Sequence, residues 1–439
     1  MAEAPKKLLL IEMNEINFSL VREYIALYPD RFASFTKLME LPNITTHSEA
    51  EYHLLEPWIQ WPSVHTAMPF DNHEIYRLGD IIHSKKDQIF EIIERLGYSV
   101  GVVSAMNADN RLTAGAYFIP DPWTETLTDG SFWAKIIAES VSQAVNDNSR
   151  GRITAKSLLQ LAFAWLRFHQ KKHFWLYVRL FFLSIAKPWN RSIILDLFLH
   201  DLHSKLFSAH KPDFSTLFLN AGAHIQHHYL FNSTVVKKSS TCENPDWYVE
   251  PDEDPLADLL DVYEKVLGDI LSVPEVDLVI ATGLSQRPYD RVKFYYRLTD
   301  HNAFLKTAGI KFVSVHPRMT RDFLVTFCDE DAALSAQMKL SCIKVLNDDT
   351  LLFGEIDNRG TSLFVTLTYP SEVTDKTEII MGERRYNLSS LVSFVAVKNG
   401  MHHGDGFAFF SENVFRFFPK NDNHVASIGR MILNYFECS

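Results

Sequence analysis

The chain has 439 residues, of which 46% are hydrophobic and 22% charged. That suits one large α/β core with insertions and is too apolar for a disordered chain. A net charge of -11 argues against a nucleic-acid-binding surface. The four cysteines (Cys242, Cys328, Cys342, Cys438) form no CxxC pair, which speaks against a disulfide scaffold or cysteine zinc site and for a reducing cytoplasm.

The run Leu8–Ile11, followed at once by Glu12, is too short for a signal-peptide core and has the pattern of a buried parallel strand. Asn17–Tyr28 has helical spacing. Asp87–Leu96 reads as a helix closed by Gly97, leading into a strand over SVGVVS. Ser215–Leu219 reads as a strand entering a His-rich helix, and Leu256–Leu271 as a helix before the strand VDLVIA. This alternation predicts a mostly parallel sheet with helices on both faces, whose chemistry collects beyond the strands' carboxyl ends. The pattern assigns 1–128, 212–301 and 398–439 to the α/β core. It assigns 129–211 to a helical insertion and 302–397 to a small α/β subdomain. Within Arg152–Lys211, ten basic residues meet only Asp196 and Asp201. The stretch HFWLYVRLFFLSIA within it is too short to span a bilayer, and it suits a cap or lid, or a peripheral contact with an anionic membrane.

Four polar clusters fall where strands should end. The first is Glu12-Met13-Asn14-Glu15. The second runs from Glu56 to Thr66, where Pro62 predicts a helix starting near Trp61. The third is Asn220-Ala-Gly-Ala-His224-Ile-Gln-His227-His228. His224 and His228 are spaced i, i+4 and share a helix face, with His227 as a substitute, so that two imidazoles can meet one metal. The fourth is Met401-His402-His403-Gly404-Asp405-Gly406, read as a turn before the strand FAFF.

In this order the clusters resemble the alkaline phosphatase superfamily, and within it the type I phosphodiesterase and nucleotide pyrophosphatase group. LLLIEMN is similar to the family's first strand with its acidic metal ligand. WPSVHTAMPFDNHEI matches the nucleophile-loop pattern at Trp61, Thr66, Pro69, His73 and Ile75. Asn220 and His224 match an Asp-x-x-x-His motif, VIATGLSQ a strand ending in Ser-Asp-His-Gly, and MHHGDG the late His before Asp-Gly. The resemblance covers most of the chain outside the two insertions.

The resemblance implies an alkaline-phosphatase-like α/β fold and a hydrolase or transferase acting on a phosphate-type ester. The substrate would be an anionic small molecule or a glycan or lipid ester. The motifs also depart from the family. Glu12 or Asn14 stands for the first Asp, Asn220 for the next, and the Asp-His pair is replaced near Thr282 and Gly283. Counted back from Thr66 without gaps, the attacking position falls on Pro57. The two-metal site is therefore expected to be reduced to at most one divalent metal, zinc or manganese, held by His224, His228 and His402 or His403, with Glu12, Asn14 and Asn220 across from them. Glu56 is a candidate base, Gln60 and Gln286 are candidates for orienting substrate oxygens, and Ser63, Thr66 and a metal-bound water are competing candidates for the nucleophile. The rival expectation is a catalytically silent relative that binds an anionic glycan, a lipid headgroup or a protein partner.

Overall fold

The computed structural model describes residues 7–146, 154–318, 321–346 and 348–437. Arg152, one of the cations of the helical insertion, and Cys438 lie outside them.

The elements that position the site are, in chain order, β1 (Leu8–Met13), β2 (Asn43–His47), α1 (Pro57–Thr66), β3 (Val100–Val103) and β4 (Tyr117–Ile119). There follow α2 (Ala155–Phe168), α3 (Phe174–Ala186), α4 (Asn190–His210), β5 (Phe214–Leu219), α5 (Ala221–Tyr229) and α6 (Pro255–Leu271). The last are β6 (Asp277–Ala281), β7 (Ser285–Leu298), β8 (Val392–His403) and β9 (Asp405–Phe410). Among the described residues the central sheet has seven strands in the order β2-β9-β6-β1-β5-β3-β4. β1, β3, β4, β5 and β6 run parallel, and β9 runs antiparallel to β6 and β2. This is the mostly parallel α/β sheet that the sequence predicts.

β1 is central and buried on both faces. Leu9, Ile11 and Met13 pack into one hydrophobic cluster with α4 and α6, while Leu8 and Leu10 pack into another with Trp61 and Phe90. That two-sided burial explains its unbroken apolar run. A third cluster, including Phe323, Val325 and Leu340, is built on a four-stranded antiparallel sheet and the helix Glu330–Ser341, and takes in Phe294 and Leu298 of β7.

Two expectations are corrected. First, α1 begins at Pro57, with Glu56 as its N-cap, and Pro62 lies inside it. Pro57 takes the first helical position, where a missing N–H costs nothing. Second, Met401–His403 is not a turn. It ends β8, which pairs with β7 so that His402 faces Gln286 and His403 faces Ser285. The sequence shows no strand pattern over most of β7 or over β8, because their alternation is broken. Phe394–Ala396 pair with Tyr296–Tyr295, and Lys398–Gly400 pair with Lys293 and Pro288, leaving Tyr289–Val292 as a bulge on β7.

Candidate active site

β1 ends in a sharp backbone reversal: Glu15 has a φ of 61°, in the left-handed region. Its N–H donates to the carbonyl oxygen of Thr282, at the end of β6 (3.0 Å). A non-glycine residue held in that conformation is strained, and such strain gathers at functional positions. The turn places the Glu15 carboxylate against two imidazoles. Oε2 lies 3.0 Å from Nε2 of His227 and 3.3 Å from Nε2 of His402, and the two nitrogens are 3.1 Å apart. Gln286 Nε2 donates to the same oxygen at 2.5 Å. Glu15 is almost fully covered, while the His227 and His402 side chains keep 14% and 13% exposure, so solvent reaches the cluster past the imidazoles.

Each imidazole is held from behind. Nδ1 of His402 faces Glu56 Oε2 at 3.4 Å. Nδ1 of His227 faces the Gly400 carbonyl oxygen at 3.3 Å and the Lys398 ammonium. Burial would raise the Glu15 carboxyl, but His402 and His227 hold it well below the usual range. Burial and Lys398 push His227 down to about 4. Burial opposes a charge on His402, yet Glu15 and Glu56 raise its pKa. Burial brings Lys398 down to about 7, against the pull of Glu15 and Glu56, and it also raises Glu56.

The only group of three His, Cys, Asp or Glu donors close enough to share a metal ion, among the described residues, is Glu15, His227 and His402. Their spacings of 3.0, 3.1 and 3.3 Å are close to the ~3.3 Å edge of a tetrahedron built on zinc bonds of about 2.0–2.1 Å. Two imidazoles and one carboxylate are a recognised donor set for catalytic zinc, and Glu56 behind His402 is the outer carboxylate such ligands use. The residues fit one divalent metal.

The structure brings only part of the expected set together. His402 is at the centre. His227, not His224 or His228, meets it: the rings of His224 and His228 lie 4.9 Å apart beside it, and Nδ1 of His228 faces the Val397 carbonyl oxygen at 3.2 Å. His403 points the other way, toward Asp405. Glu12 is not a ligand of the cluster, since it faces the opposite side of β1, fully buried. There its Oε1 accepts from Thr216 (2.6 Å) and lies 3.1 Å from His65.

Asn14 and Asn220 stay close to the cluster, but neither is arranged to ligate. The indole N–H of Trp61 can only donate, so the Asn14 oxygen must face it (2.8 Å). That turns the Asn14 amide nitrogen toward the Asn220 oxygen (2.8 Å) and Glu15 Oε1 (3.2 Å).

The hydroxyl candidates are committed elsewhere. The Ile75 N–H donates to Nδ1 of His73 (2.9 Å), which leaves the proton on Nε2, 2.9 Å from Ser63 Oγ. His73 therefore donates to Ser63, and Ser63 donates to the Ile59 carbonyl oxygen (3.2 Å). Burial holds His73 down to about 4, so it stays neutral. Thr66 donates to the Pro62 carbonyl oxygen at 2.7 Å. Gln60 is buried and donates to the Leu54 carbonyl oxygen.

Glu15 and Lys398 escaped the sequence reading. Glu15 carried a signal, as the last acidic residue after the first strand; Lys398 carried none, because β8 was not legible as a strand. Around the cluster stand further cations. Arg321 lies over the Tyr295 ring at 4.1 Å, and Lys293 over the Tyr289 ring at 3.9 Å. Both act electrostatically on Lys398.

No family model and no curated protein sequence matches the chain. Among solved structures, the chain is similar to phosphonoacetate hydrolase from Sinorhizobium meliloti 1021 in complex with phosphonoformate. The TM-score is 0.41 and the identity 11%, over 98% of this chain and 96% of that one. It is also similar to human ectonucleotide pyrophosphatase/phosphodiesterase 5, with a TM-score of 0.37 and 11% identity over 91% and 88% of the two chains.

Proposed function

We propose that this chain hydrolyses or transfers a phosphate-type ester at the Glu15–His227–His402 cluster, with one divalent metal, zinc or manganese. The observation that carries the reading is the set of three donor atoms 3.0–3.3 Å apart at the carboxyl end of the central strand. A metal there would supply Lewis acidity toward an anionic oxygen. Lys398, Lys293 and Arg321 give the surroundings the positive charge that holds a phosphate group. Glu56 keeps the Nδ1 side of His402 oriented and is placed to hold a proton there. Pro57, at the start of α1, offers no hydroxyl, and Ser63 and Thr66 spend theirs inside the helix, so the attacking oxygen is left to water. The reading sets the reaction in the cytoplasm, supported by the free thiols Cys242, Cys328 and Cys342.

That same lack of a hydroxyl favours a second reading, a site that binds an anionic ligand without turning it over. Elemental analysis of the purified protein, together with assays on aryl phosphate monoesters and diesters, separates the two. About one zinc or manganese per chain, with turnover that Glu15→Gln removes, supports the enzyme. Metal uptake and phosphate binding without turnover support the binding site. A protein that takes up neither metal and turns over no ester overturns the catalytic reading.

A further inference from the structure

Outside the cluster, α2 and α3 present apolar side chains that no other part of the described chain covers. On α2, Leu159, Phe163 and Leu166 recur at i, i+4 and i+7 with 65%, 66% and 62% exposure. On α3, Trp175, Phe182 and Ile185 show 75%, 66% and 71%. Monomeric soluble proteins rarely leave so many large apolar side chains together in water. Hydrogen bonds and ring packing tie the two helices to α4. His173 Nδ1 lies 2.7 Å from Asp201, the Tyr177 hydroxyl donates to Asp201 (3.1 Å), and the Gln170 N–H donates to the same carboxylate (2.8 Å). Trp165 packs on Tyr177 with ring centroids 5.7 Å apart, closing the elbow between the helices.

Charge selects the occupant. The 42 residues Thr154–Leu195 hold seven Lys or Arg and no Asp or Glu, in a chain of net charge -11. Lys156, Lys172 and Lys187 pair with carboxylates of neighbouring elements. Arg167, Lys171 and Arg179 are exposed and pair with no carboxylate among the described residues. A second copy of the chain docked face to face would bring like charges together. An anionic bilayer surface instead supplies the missing negative charge beside an apolar layer. At 14 and 13 residues the helices are too short to cross a bilayer, and no helix of the described residues is long and apolar enough to do so. Helices of this kind lie in the headgroup plane, where Trp, Phe, Lys and Arg are favoured.

We propose that α2 and α3 form a docking face for an anionic membrane surface, independent of the chemistry at Glu15. The test is sedimentation of the full chain with vesicles of phosphatidylcholine alone or mixed with phosphatidylserine, at low and moderate salt, alongside sedimentation equilibrium of the free protein. The expected result is binding to the phosphatidylserine vesicles that weakens with salt. Arg167→Glu/Lys171→Glu/Arg179→Glu should weaken partition by roughly a hundredfold or more, and Trp175→Ser/Phe182→Ser should also weaken it. Both variants alter exposed side chains and should keep the wild-type melting temperature. Three results each overturn the proposal: no binding to either vesicle at low salt, equal binding by wild type and both variants, or a dimer in solution that Trp175→Ser/Phe182→Ser converts to monomer. The last assigns the face to a second copy of the chain.

Discussion

Asn107 Nδ2 donates to the carbonyl oxygen of Trp58 at 2.8 Å, the acceptor that Pro62 would have served had it carried an N–H. A proline inside a helix normally leaves that oxygen bare. Here a side chain from beyond β3 repairs the ladder, and the same nitrogen also reaches the Arg77 carbonyl oxygen (3.1 Å). Asn107 sits at a φ of 52°, a conformation that Asn tolerates better than most residues. Asn107→Ala is expected to destabilise the fold by about 2–3 kcal/mol. Because Glu56 caps the same helix, activity should fall as well. Urea unfolding and assays of the folded variant measure the two effects separately.

If Ser63 is a structural donor, Ser63→Ala loses about 1 kcal/mol of stability and keeps turnover within a few-fold of wild type. Thr66→Val should behave likewise. Abolished turnover in a folded Ser63→Ala protein would make Ser63 the nucleophile and reverse the tautomer assigned to His73.

Gly400 supports the cluster by having no side chain. A Cβ there would stand 2.1 Å from Gln286 Oε1 and 2.6 Å from the Gln226 carbonyl oxygen. Gly400→Ala must displace Gln286, which donates to Glu15, or move the backbone of β8. The expected cost is about 1–3 kcal/mol, with a metal content lower than wild type in the folded fraction. Wild-type stability together with wild-type metal content would contradict this placement.

Buried neutral histidines away from the cluster set an acid limit on stability. Burial holds His203 down to about 3 and His301 to about 4. A histidine whose folded pKa lies below its unfolded value near 6.5 stabilises the fold fully above that value. As pH falls below it, the unfolded chain takes up the proton first, and stability is lost until the folded pKa is reached. Each unit of depression is worth about 1.4 kcal/mol. Unfolding midpoints in urea should therefore drop between pH 6.5 and 4, and His203→Gln should show a shallower slope than wild type over that window. An equal slope would mean that His203 does not carry this linkage.

The central strands were legible because burial on both faces writes itself as unbroken apolar runs, as in Leu8–Ile11 and VDLVIA. The same two-sided burial hides which carboxylate matters. Nothing in Glu12-Met13-Asn14-Glu15 says that the chain reverses at Glu15 and sends Glu12 into the core beside His65. The His-rich helix was legible as a polar cluster at a strand end, but the face it shows is decided by packing against β8, whose Val397 and Gly400 carbonyl oxygens meet His228 and His227. Helical spacing alone favoured His224 and His228. Lys398 was illegible because β7 and β8 break register twice, which erases the alternation that reveals a strand.

The bulge between Tyr289 and Val292 makes the rim of the cluster adjustable. On one side of it the ladder holds His402 opposite Gln286, and on the other it holds Val392 opposite Leu298. The excess residues face no partner on β8, so the loop can lengthen or shorten while both stretches of ladder keep their phase. Tyr289 and Lys293 stand at that loop. Small insertions and deletions there would reshape the rim while the Glu15–His227–His402 cluster and the four-stranded antiparallel sheet stay where they are.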